Sequence, residues 1–190
     1  MSDYSKTTDF ETKDGLAANN PAKIIKGAEF DTEFENIETA IATKGDYFTG
    51  TFTPTLKDAV SGGNTASVGS SAGRYTKVGR IVHATMHLTN IDTTGLGQAN
   101  QVSVHDLPFA SYNDSANIMY WVGSMHASSI ANPTATNSGH WIPVLRDNND
   151  YISFMGNVSN SQIPEKLLVQ DLTTNVADIY ISITYEAADS

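Results

Sequence analysis

Apolar and polar positions recur with two different periods along this chain, and the change falls near residue 46. Before it, Phe30, Phe34, Ile37 and Ile41 follow one another at steps of four and three, which puts them in one stripe of a helix. Asp31, Glu33, Glu35 and Glu38 occupy the rest of that surface. The pattern predicts a helix over Gly27–Lys44. Acidic residues crowd its start and Lys44 sits at its end, the order the macrodipole favours, with Gly45 placed to stop it.

After Tyr47 the period is that of strands. Phe48–Leu56 is β-branched and aromatic, with Pro54 near its end. Gly62-Gly63-Asn64 and Gly69-Ser70-Ser71 read as turns, and Gly73–Val78 as a short strand. The clearest strand runs from Arg80 to Ile91: Val82, Ala84, Met86 and Leu88 point one way, His83, Thr85 and His87 the other. Gln101–Val104 reads as another strand and Ile118–Ala127 as a longer and more apolar one. His140–Leu145 and Tyr151–Met155 flank Arg146–Asp150 as a hairpin. Glu165–Leu172 suits either a strand or one helical turn. Asp178–Tyr185 closes the series, with Ile179, Ile181, Ile183 and Tyr185 on one face and Tyr180, Ser182 and Thr184 on the other. Some eight or nine short strands between turn clusters predict a mainly β fold, an antiparallel β-sandwich of jelly-roll type.

Residues 1–26 form a polar arm with little periodicity. Asn19-Asn20-Pro21 is a turn signal, and Ile24 and Ile25 are the arm's only adjacent apolar pair. Such an arm is expected to be extended and to order against a partner. The expected organisation is therefore an arm over 1–26, a helix over 27–45 and a β-sandwich over 46–190.

Composition narrows the function classes. Of 190 residues, 39% are hydrophobic and 17% charged, and Ser, Thr, Asn and Gly fill the difference. The formal net charge of −10 comes without a basic patch, which argues against nucleic acid as a partner. No cysteine is present, so disulfides and thiolate chemistry are excluded. The sequence shows no signal peptide and no apolar run long enough for a membrane helix, so no membrane insertion is expected.

Candidate chemistry is sparse. His83 and His87 have a metal-binding spacing for a helix, but on a strand they stand roughly 13 Å apart. Only a threefold axis gathering one of them from three chains would make a metal site, and neither metal nor cofactor is expected. Asp92, Asp106, Asp114, Asp147, Asp150 and Asp171 lie in loops, and nothing pairs two of them as a glycosidase requires. They read as turn residues, and the loop Arg146–Asp150 as a hairpin turn and not a cation site. Trp121, Trp141, Tyr112, Tyr120 and Tyr151 are candidates for stacking on sugars, with Trp121 the one expected in the core. No nucleophile elbow or phosphate loop occurs. No catalytic residue is assigned.

Pro21–Lys44 resembles an amino-terminal segment of tail-fibre and related structural proteins of short-tailed, podovirus-type bacteriophages. Gly50–Leu56, Gly62–Asn64 and Gly73–Thr89 (GRYTKVGRIVHATMHLT) resemble a distal domain of phage virion fibres, as do Asp106–Phe109 and Ile181–Ala187. The resemblance implies a non-enzymatic virion structural protein, a homotrimer assembled in the host cytoplasm and exposed on the particle. It implies attachment to other virion proteins through the amino-terminal part and outward display of the β-domain, with host attachment as a role. Other readings stay open: a head fibre or decoration protein, an adaptor for a longer fibre, a receptor module for host surface glycan, and a polysaccharide depolymerase. Ile24 and Ile25 are the expected virion anchor, and Phe30, Phe34, Ile37 and Ile41 the expected helix interface.

That helix is a poor coiled coil by itself. With Phe30 and Ile37 at d and Phe34 and Ile41 at a, Glu33 falls at g and Glu38 at e, so a parallel trimer would bring like charges together. The stripe also spans under two heptads. The β-domain is therefore expected to drive trimerisation, and the acidic helix to form a short bundle or to dock on a basic surface of the virion.

Overall fold

Residues Gly27–Thr43 form a 17-residue helix, as the apolar spacing predicts. The computed structural model describes residues 4–43, 47–133, 140–156 and 164–188, so Lys44 and Gly45, the expected helix end, lie outside the described residues. The chain divides into two units, residues 1–46 and 47–190.

In the first unit the arm is not the extended segment expected. It contains a short helix, α1 (Phe10–Asp14), capped by the Asp9 side chain, and a single 3-10 turn at Pro21–Lys23 capped by Asn20. α1 meets the long helix, α2 (Gly27–Thr43), through Phe10 on Phe30 and Lys13 with Glu29, and the 3-10 turn bonds back to the α1 region through Lys23 Nζ and the Asp14 and Leu16 carbonyls. The residue of α2 that is most covered is not from the apolar stripe. Glu33 and Ala40 are buried, while Phe30, Phe34 and Ile41 are 45%, 64% and 65% exposed.

The second unit is a sandwich of two antiparallel sheets. The first has the order β1 (Tyr47–Phe52), β3 (Ser70–Val78), β4 (Ile81–Ile91), β11 (Ala177–Glu186), β7 (Ser124–Ser128). The second has the order β2 (Thr55–Lys57), β5 (Ser103–His105), β9 (Ile152–Gly156), β8 (Trp141–Arg146), β6 (Tyr120–Val122), with β10 (Glu165–Lys166) also on β9. The alternation read in β4 and β11 holds. Val82, Ala84, Met86 and Leu88, with Ile179, Ile181, Ile183 and Tyr185, are buried and belong to one core with Leu56, Val104, Leu145, Ile152 and Phe154. Each large apolar side chain buried in this way contributes about 1.5–3 kcal/mol. The Tyr185 hydroxyl donates to the Phe109 carbonyl at 2.9 Å, so this buried phenol is satisfied, and burial pushes its pKa up.

Two segments expected as single strands are each divided between the sheets. Phe48–Leu56 breaks at Thr53-Pro54: β1 lies in one sheet and β2 in the other. Proline has no N–H to give a ladder, so the break falls where pairing has to stop anyway. Ile118–Ala127 breaks at Gly123 into β6 and β7, again in different sheets. A Cβ on Gly123 would stand 2.6 Å from the Ser182 carbonyl oxygen and 3.1 Å from the Ile183 Cβ, so only glycine passes this close to β11. Ser70 and Ser71, expected in a turn, begin β3. Glu165–Leu172 contains both elements considered for it, β10 and a 3-10 turn at Val169–Asp171. The hairpin of β8 and β9 is as expected, with Val144 opposite Ser153, and Asn148 takes a left-handed conformation in its turn. Eleven strands are present among the described residues.

Candidate binding face on the five-stranded sheet

The alternation that sends Val82, Met86, Ile181 and Ile183 inward sends a second set of side chains out of the same strands. The register aligns that set into rows. Across the middle of the sheet run Thr51, Arg74, Thr85, Ser182 and Ser124, one from each strand in spatial order. On one side lies the row Ala72, His87, Tyr180, His126. On the other lies Thr49, Thr76, His83, Thr184. Adjacent strands are about 4.8 Å apart, so the middle row spans about 19 Å.

The side chains leave two shallow depressions on this face. One, of about 530 Å³, is bordered by Arg74, Thr85, His87, His126, Tyr180 and Ser182. The other, of about 340 Å³, is bordered by Thr49, Thr51, Arg74, Thr76, His83 and Thr85. They share Arg74 and Thr85, so the guanidinium stands between them. Tyr180 is 43% exposed, and its ring centroid lies 6.1 Å from that of His87 and 6.0 Å from that of His126. His87 Nε2 is 3.2 Å from the Ser70 hydroxyl, and His83 Nδ1 is 2.9 Å from the Thr184 hydroxyl. Among the described residues, Arg74, the Tyr180 hydroxyl and the hydroxyls of Thr85, Ser124 and Ser182 have no hydrogen-bond or ionic partner. Two carboxylates stand at opposite margins of the face: Asp178 accepts from the Asn90 N–H and the Ser128 hydroxyl, and Glu186 pairs with Arg80 at 3.3 Å.

The groups singled out from sequence lie elsewhere or are occupied. His83 and His87 are on this face but two rows apart, and among the described residues no three His, Asp or Glu side chains gather as a metal site. Asp92 accepts from the Thr94 N–H and the Thr174 hydroxyl, and Asp114 from the Ala116 N–H. The Thr94 side chain first, then the Thr94 N–H and the Thr174 hydroxyl, hold the Asp92 carboxyl below the usual range, and the Ala116 N–H does so for Asp114. Asp106 accepts from Thr55, Asp171 from the Leu168 N–H, and Asp147 pairs with Arg146. The five aromatic residues considered as a sugar platform are dispersed. Trp141 is buried and donates from its indole to the Ala131 carbonyl at 2.7 Å. Trp121 is half-buried against the core, as expected. Tyr151 stacks on His105 at 5.2 Å, and Tyr112 lies under Arg80 at 3.9 Å. Only Tyr120 is open, at 49%. Arg74, His126 and Tyr180 were not distinguished by sequence. The signal available was the period-two alternation of β3, β7 and β11, which puts Arg74, His126 and Tyr180 each on one side of its strand but says nothing of which strands adjoin.

The residues of the first unit gather around one carboxylate. Glu33 accepts from the Tyr4 hydroxyl at 2.6 Å, the Thr7 N–H at 2.8 Å and the Thr7 hydroxyl at 2.7 Å, and also from the Thr8 N–H. The Thr7 and Tyr4 hydroxyls, with the backbone donors, hold its carboxyl down at about 2. Lys13 pairs with Glu29 at 2.6 Å, and Phe10 stacks on Phe30 at 5.5 Å, with Phe34 next in line at 6.3 Å. Of the anchor and interface residues read from sequence, Ile24 is 65% exposed, Ile25 39%, and Ile37 is half-buried.

A β-sandwich of two antiparallel sheets with one open sheet face describes the class of the second unit. No family model matches the chain, and no curated protein does. Among solved structures the chain is similar to the Dettilon tailspike protein, with a TM-score of 0.51 and 13% sequence identity. The likeness covers 74% of this chain and 24% of the tailspike, so the chain corresponds to about a quarter of that protein. At this identity the likeness shows a shared fold.

Proposed function

We propose that this chain is a non-enzymatic structural protein of a bacteriophage particle, a short trimeric appendage. Its first unit attaches to other virion proteins and its sandwich is displayed outward. The observation that carries this reading is the fold shared with part of a phage tailspike. Two exposed apolar sets support the division of labour. On α2, Phe30, Phe34 and Ile41 stand open on an otherwise acidic helix, close in sequence to the open Ile24. A set of this kind belongs against other protein. On the sandwich, Ile118, Met119, Tyr120 and Val122 are 59%, 43%, 49% and 62% exposed, and β6 is the edge strand of its sheet. An open apolar edge is a template for pairing with another chain, which suits trimerisation through the β-domain.

The test separates the two surfaces. Native mass measurement of the full chain is expected to give a trimer. Phe34→Asp with Ile37→Asp is expected to keep that trimer and to lower incorporation into particles. A strict monomer at high concentration, or loss of the trimer in the helix variant, would overturn the assignment. Incubation with host capsule or lipopolysaccharide is expected to release no reducing ends; release would make the chain a depolymerase.

A further inference from the structure

We infer that the outer face of the five-stranded sheet binds a carboxylate-bearing oligosaccharide, with Arg74 taking the carboxylate and Tyr180 a sugar ring. This deepens the reading of the sandwich as a displayed unit and names the ligand class of its open face.

Charge comes first. The chain has a net charge of −10, yet the three central rows of this face contain one arginine, three histidines and no carboxylate. Arg74 has no counter-ion among the described residues, and its planar fork of donors matches a carboxylate in a bidentate pair. Shape comes second. Arg74 stands between two depressions that together run across the sheet, which suits an extended chain longer than one ring. Chemistry comes third. The hydroxyls of Thr85, Ser182 and Ser124 continue the Arg74 row toward β7, and each both donates and accepts, as sugar hydroxyls do. The half-open Tyr180 ring between two imidazoles supplies the apolar surface on which the C–H face of a sugar rests.

A second copy of this chain fits the face less well. The central rows contain hydroxyls and no Leu, Ile, Val or Phe, and the exposed apolar set of this face, Tyr47, Val78 and Ile81, forms its outermost row beside Glu186, whereas a subunit interface is apolar at its centre. A two-fold or three-fold axis on the row would also bring Arg74 toward Arg74.

The experiment uses the full-length chain in its native oligomeric state. Binding is measured on an array of uronate- and sialate-bearing oligosaccharides beside neutral ones, with polyglutamate as an anion that lacks sugar rings. Acidic glycans are expected to bind and neutral ones are not. For an acidic glycan that binds, Arg74→Met and Tyr180→Ala are each expected to weaken titrated affinity at least about tenfold, the loss of one bidentate pair or stacking contact. Lys166→Met, which removes an exposed cation from the other sheet, outside both depressions, is expected to leave it unchanged. No binding by any acidic glycan overturns the inference. Equal binding of polyglutamate reduces it to charge alone and overturns it too. Conversion of the oligomer to monomers by Arg74→Met would make this face an interface between copies. Particle incorporation, which tests attachment through the first unit, is read separately, so either proposal can fail without the other.

Discussion

Glu33 and Thr7 are joined twice: one carboxylate oxygen of Glu33 takes both the Thr7 backbone N–H, at 2.8 Å, and the Thr7 hydroxyl, at 2.7 Å. With the Tyr4 hydroxyl and the Thr8 N–H, this ties residues 4–8 to the middle of α2. The carboxyl sits at about 2 in the folded chain against 4.5 for a free glutamate, so its folded value is depressed. Its contribution is complete above pH 4.5 and falls away as pH drops from 4.5 toward 2. Amide exchange at Thr7 and Thr8, corrected for intrinsic rates, is expected to stay slow at pH 6 and to accelerate below pH 4. Glu33→Gln loses the charge and one of the two accepting oxygens, and is expected to show fast exchange at pH 6 already. Equal protection in the variant would show that Phe10 and Lys13 hold the arm without Glu33.

Gly123 is where the chain crosses from one sheet to the other. Gly123→Ala puts a Cβ 2.6 Å from a backbone oxygen of β11, which is held in two ladders and cannot give way. The expected cost is about 1–3 kcal/mol. For a chain of this length that lowers Tm by roughly 2–4 °C per kcal/mol. Gly27→Ala is the control, since nothing lies within 4 Å of a Cβ there, and it is expected to change stability by less than about 0.5 kcal/mol. Calorimetry of both variants checks the contrast.

Asp58 has an almost wholly covered side chain, 2% exposed, that joins three loop positions. It accepts from the Gly97 N–H at 2.8 Å, the Asn64 N–H at 2.6 Å and the Asn64 and Asn100 side-chain amides. The Gly97 N–H first, then the Asn64 and Asn100 donors, hold its carboxyl below the usual range. The stability it gives is present at neutral pH and is lost as pH falls through the depressed value. Asp58→Ala leaves two backbone N–H groups without their acceptor, at a cost of about 1–3 kcal/mol. Denaturant titration at pH 7 is expected to show that loss, and a smaller gap between variant and parent at pH 3.

Phe154 and Phe34 are the same residue type in opposite settings, one fully buried between the sheets and one 64% exposed on α2. Phe154→Ala is expected to cost about 3–5 kcal/mol in denaturant titration of the sandwich. Phe34→Ala is expected to stay within about 0.5 kcal/mol of the parent. A large loss at Phe34 would show that the exposed stripe of α2 is covered within the folded chain itself.

Much of the fold was legible because its periods are local. The alternation in β4 and β11 names the residues that are buried, and the four-three spacing names α2. The stripe on α2 was legible as a stripe, but not its surroundings. Sequence spacing shows that Phe30, Phe34, Ile37 and Ile41 share a side. It cannot show that a polar arm 25 or more residues upstream covers Glu33. The binding face was the least legible part. Tyr180 is equally outward-facing whether or not a histidine adjoins it, and only strand order makes His87 and His126 its neighbours.

By itself, then, the sequence determined the mainly β class, the single long helix, the hairpin of β8 and β9, and which side of each long strand faces the core. These follow from contacts between residues close in the chain and from the period of burial. The tertiary structure alone decided that Pro54 and Gly123 divide apparent strands between two sheets, that Glu33 is the held residue of α2, and that Arg74 meets Thr85, Ser182 and Ser124 in one row. Each of those is a pairing between segments far apart in sequence, set by which strand edges and donors meet when the sheets close, and no local pattern encodes it.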